Sequence, residues 1–441
     1  MSAEAFQLTA VRRRTIPSLS RNFTWTLAGN VVYSSGQWLM LVLLAKLTNP
    51  ELVGQYALAL AIVLPVLMFT NLQLRWIVTA DVDGQRRFGD YLSFRLFSTL
   101  LALVVIFASA LFAGYRGQLK LVIVLVGFAQ AIEAISDVYH SRLQVGDRMD
   151  RIAKSMMART VLSALGLGIT VYFTRALLWG IVAVVLARMI LLLGYDMQPR
   201  THGYTKGMED LSKGGPLKPR WNRKMQQELL CLGLPLGIIA VLVSLNSSIP
   251  RYFIEGTLGQ RALGIFSAIT FLYAAGSMAV VSLGQSAFTQ LAKTYAHDDL
   301  AGFRSLLFKL LAVGAIFGVC GLLVVKAAGR QILTILFRPE YGDYAGLLPW
   351  IMSAACVNYL AQFLGFGMTA AKCYAPQVYL FLSTNLFIGV ASYWLIPRFG
   401  LLGAILAMFV GVIVQLVGSV LILFIGMSSK AAKGSSHARL A

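Results

Sequence analysis

Twelve long apolar runs separated by short polar segments set the pattern of this chain, at about residues 23–47, 55–75, 93–114, 119–139, 155–174, 176–196, 228–249, 262–287, 305–326, 345–369, 377–396 and 401–426. Each is near the roughly 20 residues that a helix needs to cross a bilayer. A membrane barrel would alternate apolar and polar positions over ~10-residue segments, and no such alternation recurs. Backbone groups in lipid must be satisfied internally, which leaves helices for the spans. The pattern predicts an all-α polytopic membrane protein with about 12 transmembrane helices.

The longest polar stretch, 196–227, contains GYTKGMEDLSKGGPLKPRWNRK and divides the spans six and six. It predicts an N-terminal six-helix bundle over 1–195, a cytoplasmic linker over 196–227 and a C-terminal six-helix bundle over 228–441. The two sets resemble each other. LVGQYALALAI from Leu52 is similar to ALGIFSAITFL from Ala262, with Gly54, Tyr56 and Ala57 matching Gly264, Phe266 and Ser267. RALLWGIVAVV from Arg175 is similar to RFGLLGAILAM from Arg398, with Gly180 matching Gly403. Because six is even, both sets enter the membrane from the same side, so the repeat is parallel. Two like-oriented bundles around a central cavity are a transporter architecture, in which the bundles rock to open either side.

Charge fixes the orientation. With the N-terminus in the cytoplasm, 26 of the 38 Lys and Arg residues fall in cytoplasmic segments and 10 on the opposite side, while Arg188 and Lys309 lie inside spans. That bias places both termini in the cytoplasm. The net charge of +20 therefore reflects topology, and no nucleic-acid partner is expected. Only 13% of residues are charged, against roughly 25% in soluble domains. Arg12, Arg13 and Arg14 imitate the start of a signal peptide, but the run from Phe23 to Leu47 is too long for one and reads as the first retained helix. Cys231, Cys320, Cys356 and Cys373 sit in or beside apolar runs without metal or disulfide spacing. The histidines at 140, 202, 297 and 437 fall in loops on the cytoplasmic side. No metal site, phosphate loop or catalytic triad is evident, and an enzyme is not expected.

The stretch from Gly29 to Arg75, with Asn30, Tyr33 and Gln37 followed by LVGQYALALAIVLP and NLQLR, resembles the polysaccharide flippases (O-antigen-type, Wzx-type) of the multidrug/oligosaccharidyl-lipid/polysaccharide exporter superfamily. The six-plus-six layout extends the resemblance over nearly the whole chain. It implies a flippase that moves undecaprenyl-diphosphate-linked saccharide to the periplasmic leaflet of a bacterial inner membrane by alternating access. Besides that lipid and the bilayer, the implied partners are the polysaccharide polymerase and chain-length proteins. The two extra helices typical of peptidoglycan-precursor flippases are not found. Drug exporters of the superfamily share the layout, so a cation-coupled drug antiporter is the alternative. A polymerase or glycosyltransferase would need a larger outer domain than the segment 327–344.

A saccharide headgroup cannot cross hydrocarbon unaided, since each unpaired hydroxyl costs roughly 2–7 kcal/mol there and an ion far more. A wet groove would need cations for the diphosphate and hydrogen-bonding groups for the sugars, and the fork of Arg suits phosphate. Arg188, deep in its span, is the first candidate. Arg75, Arg95, Arg159 and Lys309, near span ends, read either as snorkelling anchors or as a basic mouth. Glu133 and Asp137 share one helix face and either bind a coupling proton or sodium ion or neutralise Arg188 or Arg159. Asn30, Gln37, Asn71 and Asn246 are candidates for sugar contacts, among other in-span amides such as Gln130, Asn358, Gln362 and Gln415, against helix-to-helix bonding as the alternative. Tyr33, Trp38 and Tyr273 are candidates for stacking on sugars. Gly29, Gly36, Pro65, Pro235 and Pro349 interrupt spans and are candidates for bending, with close helix packing as the alternative for the two glycines. No cofactor is expected beyond a possible ion gradient; export of a diphosphate down the membrane potential gains ~2.3 kcal/mol per charge per 100 mV without one.

Overall fold

The structure is a computed structural model that describes residues 19–81, 86–115, 117–198 and 219–438. Arg12, Arg13, Arg14, Arg116, His202, Arg439 and positions 199–218 of the linker lie outside the described residues. Eleven helical tracts are long and apolar enough to cross a membrane. One of them covers 66 residues, about 100 Å at 1.5 Å per residue, far beyond a bilayer core of ~30 Å. It breaks at Gly259, whose φ of 81° only glycine adopts freely, and so supplies two spans. Twelve crossings result, as the apolar pattern predicts.

In chain order these are α1 (Leu19–Leu47), α2 (Pro50–Asn71), a short α3 (Leu74–Ala80), α4 (Phe88–Phe112), α5 (Gln118–Val145), α6 (Met149–Thr174) and α7 (Leu177–Leu191), which ends in a π turn, Leu192–Asp196. The tract Arg223–Ala296 divides into α8 (223–258) and α9 (260–296). Then come α10 (Leu300–Leu336), a 3-10 turn (Pro339–Leu347), α11 (Leu348–Ala370), α12 (Tyr374–Phe399) and α13 (Leu401–Ala438). Leu100, Phe107, Ile169, Ile190, Ile316, Leu386 and Phe424 are each more than half exposed. So large an apolar exterior is untenable in water and natural against lipid.

The same packing pairs recur in both halves. In the first, α1 packs on α6, α6 on α7, α4 on α5, and α5 on both α2 and α7. In the second, the Arg223–Ala296 tract packs on α12, α12 on α13, α10 on α11, and α11 on both that tract and α13. The equivalence reaches single residues. Asn49 starts α2 by accepting from Leu52 N at 3.0 Å, with Pro50 in the first turn. Its counterpart 210 residues on is Gly259, the break before α9. Arg175 and Arg398, matched in the sequence repeat, stack on Tyr172 and Trp394, one turn earlier in each half.

The halves meet at a crossing of α2 and α9. A Cβ at Gly54 would overlap the backbone carbonyl of Gln260, and one at Gly264 would overlap that of Pro50. Beside them Gln55 Nε2 donates to Gln260 Oε1 at 3.1 Å. At the opposite end of the molecule the start of α8 is tied to the first half. Arg220 N donates to Gly89 O at 2.9 Å, and Gln226 Nε2 donates to Ser93 Oγ at 3.0 Å and to Asp90 O at 3.2 Å.

Several local expectations change. Gly29 and Gly36 pack against Ala153 and Thr160, letting α1 lie close on α6, so they serve packing and not bending. Pro65 and Pro235 sit inside continuous helices, and Pro349 occupies the first turn of α11 and does not interrupt a span. His140 is not a loop residue: α5 runs on to Val145 and buries it. Among the described residues no His, Cys, Asp or Glu group has the arrangement of a metal site, and the four cysteines are free.

Candidate functional site

Two polar regions stand out, one in each half. The first is built by α5, α6 and α7. On α5, Glu133, Asp137, His140 and Gln144 follow one another at spacings of three and four, which stacks them on one face. Ser155 and Arg159 do the same on α6, and Arg188 and Asp196 lie two turns apart on α7 and its π turn.

Their side chains interlock. Arg188 Nη1 lies 2.7 Å from Glu133 Oε2, an ion pair by distance, while its N–H bonds go to Ala129 O at 2.9 Å and Gln130 Oε1 at 3.3 Å. Glu133 Oε2 thus receives no hydrogen bond. The other oxygen, Oε1, accepts from the Tyr33 hydroxyl at 2.6 Å. One layer towards the α5 C-terminus, Arg159 Nη2 donates to Asp196 Oδ2 at 2.8 Å and to Ser155 Oγ at 3.3 Å. Ser155 Oγ donates to Asp196 Oδ1 at 2.6 Å, and His140 Nε2 stands 3.1 Å from Ser155 Oγ. Alongside, Arg75 Nη1 donates to Asp137 Oδ1 at 3.1 Å and Nε donates to Gln144 Oε1 at 2.8 Å. Arg95, on α4, donates to Asn71 Oδ1 at the end of α2.

Arg95, Arg159 and Arg188 are only 1%, 4% and 3% exposed, so they are neither lipid anchors nor surface charges. Arg75 is half-buried. Four guanidinium groups stand with three carboxylates, and the Nε–H groups of Arg95, Arg159 and Arg188 are buried without an acceptor in the protein. The cluster thus holds one guanidinium more than it has carboxylates. Breaking a buried ion pair leaves an uncompensated charge, which costs about 3–5 kcal/mol, so an exchange has to supply a new partner as the old one leaves.

The second region is a cavity of 570 Å³ among α8, α9, α11, α12 and α13. Asn246, Ser277, Asn358, Gln362, Gln377 and Gln415 are among its polar groups, Tyr273, Phe366 and Phe381 supply its aromatic surface, and none of the described lining residues is charged. Asn358 Nδ2 donates to Ser277 Oγ at 3.3 Å and Gln377 Nε2 to Thr369 Oγ1 at 3.2 Å, which fixes those side chains on the wall.

Of the residues singled out in the sequence, Arg188, Arg159, Arg75, Glu133 and Asp137 come together in the first region, with Arg95 and Asn71 as a neighbouring pair. Asn246 belongs to the cavity. Lys309 and Asn30 are exposed on α10 and α1, and Gln37 is half-buried on α1; none of the three lines the cavity. Tyr33 is a hydrogen-bond donor to Glu133 and not a free stacking platform. Asp196, His140 and Ser155 were not singled out. The signal for them was the polar stripe at helical spacing running past the apolar ends of the spans.

Comparison with known proteins supplies a family and a fold. Residues 19–293 match the model of a family described as polysaccharide biosynthesis protein. The capsular polysaccharide biosynthesis protein CapF of Staphylococcus aureus is 26% identical over 401 residues, covering 90% of this chain and 97% of its own. Among solved structures, a mutant of the Vibrio cholerae MATE transporter VcmN superposes with a TM-score of 0.62 at 13% identity, over 94% of this chain and 96% of that one. An inward-facing multidrug-resistance MATE-family transporter of the MOP superfamily gives 0.60 at 14%, over 93% and 95%. With eleven tracts long and apolar enough to cross a membrane, the chain is a multi-pass membrane protein that shares the fold of these transporters. The chain belongs to the polysaccharide biosynthesis protein family and carries it on the fold of the MOP-superfamily transporters.

Proposed function

We propose that the protein is a flippase that carries undecaprenyl-diphosphate-linked saccharide from the cytoplasmic to the periplasmic leaflet of a bacterial inner membrane by alternating access. The observation that carries this reading is the set of buried arginines, Arg95, Arg159 and Arg188, each with an Nε–H that no protein acceptor fills. Permanent cations inside a span are expensive and mark sites of function. A diphosphate brings oxygens that the guanidinium fork binds in pairs. The family match and the name of the CapF relative, which concerns capsular polysaccharide, support a glycan-bearing substrate.

In this mechanism the lipid tail stays in the bilayer while the headgroup enters between the halves. Its diphosphate displaces Glu133 from Arg188, and the freed carboxylate takes up a proton or sodium ion, with Asp137 released in the same way from Arg75. Substrate entry and cation uptake are then linked by competition for one guanidinium group. The Lys and Arg count, 26 against 10, supports cytoplasmic termini. In that orientation Arg75 and Arg159 stand nearer the cytoplasmic mouth and Arg188 deeper. A drug antiporter is the poorer reading, because the uncharged cavity gives an organic cation no carboxylate partner and the carboxylates of the other region already face guanidinium groups.

The test is translocation in vesicles. Purified protein is reconstituted with undecaprenyl-diphosphate-linked saccharide, and the outer-leaflet fraction is followed with a membrane-impermeant glycan probe. The expected result is protein-dependent translocation that Arg188→Ala reduces by at least about tenfold, equivalent to 1.4 kcal/mol. A wild-type protein that moves no lipid-linked saccharide, or an Arg188→Ala variant as fast as wild type, rejects the reading.

A further inference from the structure

The arginine cluster answers for charge, but it leaves the uncharged cavity of the second half without a use. Polar side chains in spans ordinarily satisfy one another across helices. Asn358 and Gln377 do so on this wall, with Ser277 and Thr369. Asn246 and Gln362 do not: each lines the cavity and keeps a buried amide oxygen with no partner in the protein. A wall that carries unfilled amide groups is completed by a ligand that brings O–H or N–H groups of its own.

We propose that this cavity is the subsite that reads the uncharged part of the headgroup, a short neutral saccharide segment bearing hydroxyl and acetamido groups. The proposal rests on the flippase reading for the origin of its ligand and places glycan recognition in the second half, apart from charge capture in the first. The chemistry of the wall selects the class. A carboxamide offers both a donor and an acceptor, as a hydroxyl and an acetamido group do. Phe366, Phe381 and Tyr273 supply flat apolar surface for the C–H faces of sugar rings. With no described lining side chain charged, an anionic sugar buried here would lose its hydration and gain no counter-charge. The volume of 570 Å³ falls within the roughly 300–1,000 Å³ of small-molecule pockets. The lining residues come from α8, α9, α11, α12 and α13 alone, so the site shares no side chain with the arginine cluster, and the two functions separate by mutation.

The experiment is equilibrium binding of free disaccharides to detergent-purified full-length protein. The probes are N,N′-diacetylchitobiose, which is neutral, and cellobiouronic acid, which carries a carboxylate. Wild type is expected to bind the neutral probe saturably and the acidic one at least about tenfold more weakly. The Asn246→Leu/Gln362→Leu double variant is expected to lose at least that factor for the neutral probe. Gln362→Lys is expected to shift preference towards the acidic probe by a similar factor, a gain that misfolding does not imitate. Absence of saturable binding by wild type, equal binding of both probes, or a Gln362→Lys variant with unchanged preference overturns the proposal. Translocation of the lipid-linked substrate in vesicles, measured on the same preparations, separates the two readings. Disaccharide binding without translocation rejects the flippase and keeps the subsite; translocation without disaccharide binding does the reverse.

Discussion

Arg188 and Glu133 sit where a charge is tolerable only in company. Arg188→Ala leaves the carboxylate of Glu133 stranded with the Tyr33 hydroxyl as its one hydrogen-bond donor in the described contacts, at a cost of about 3–5 kcal/mol. The variant is expected to unfold at a lower temperature in detergent. Adding Glu133→Gln removes the stranded charge, so the double variant is expected to regain most of the stability and none of the transport in the vesicle assay. A double variant that transports normally would make the pair structural only. These charges were legible in the sequence because an ion inside an apolar run stands out. Their pairing was not, since it depends on α5, α6 and α7 lying side by side. Asp196 and His140 were missed for a related reason. Hydropathy drops where α5 and α7 leave the apolar region, and the helix continues into residues that read as linker.

Helix ends and crossings decide the next level. The apolar count located all twelve spans but started α2 at about 55, because Asn49, Pro50 and Glu51 are polar or helix-breaking in composition while serving as cap and first turn. The short α3, only seven residues long, went unseen, its first two residues counted in the second span and the rest in a loop. The break at Gly259 was expected as a gap between spans, and the chain instead turns there within one residue. The match of Gly54 with Gly264, read as a mark of a repeat, turns out to be a contact as well. Gly54→Val and Gly264→Val are each expected to lower the unfolding midpoint in detergent and to abolish translocation. Gly256→Ala, in open space on α8, is expected to leave both near wild type, since alanine favours a helix by roughly 1 kcal/mol over glycine. A stable, active Gly54→Val protein would show that the crossing is looser than drawn.

For the whole molecule, the even number of spans in each half means that the chain leaves the first half on the side where it entered. The positive-residue count predicts that this side is cytoplasmic, and single-cysteine labelling tests it. In a background with Cys231, Cys320, Cys356 and Cys373 replaced by alanine, Lys224→Cys is expected to react with an impermeant maleimide only in inverted vesicles. Lys120→Cys is expected to react only in right-side-out cells; the opposite pattern reverses the topology. The two halves share a set of helix packings and fill it differently, with buried ions in one and amides in the other, a contrast that hydropathy could not reveal because it scores residues and not the space between them. The glycine crossing adds a consequence for how such sequences can diverge. At each of these two positions the obstruction is the opposing main chain, not a side chain, so no neighbouring replacement relieves a larger residue there. Descendants of this sequence can therefore alter side chains within either interior more readily than the spacing of the two frames at that one point.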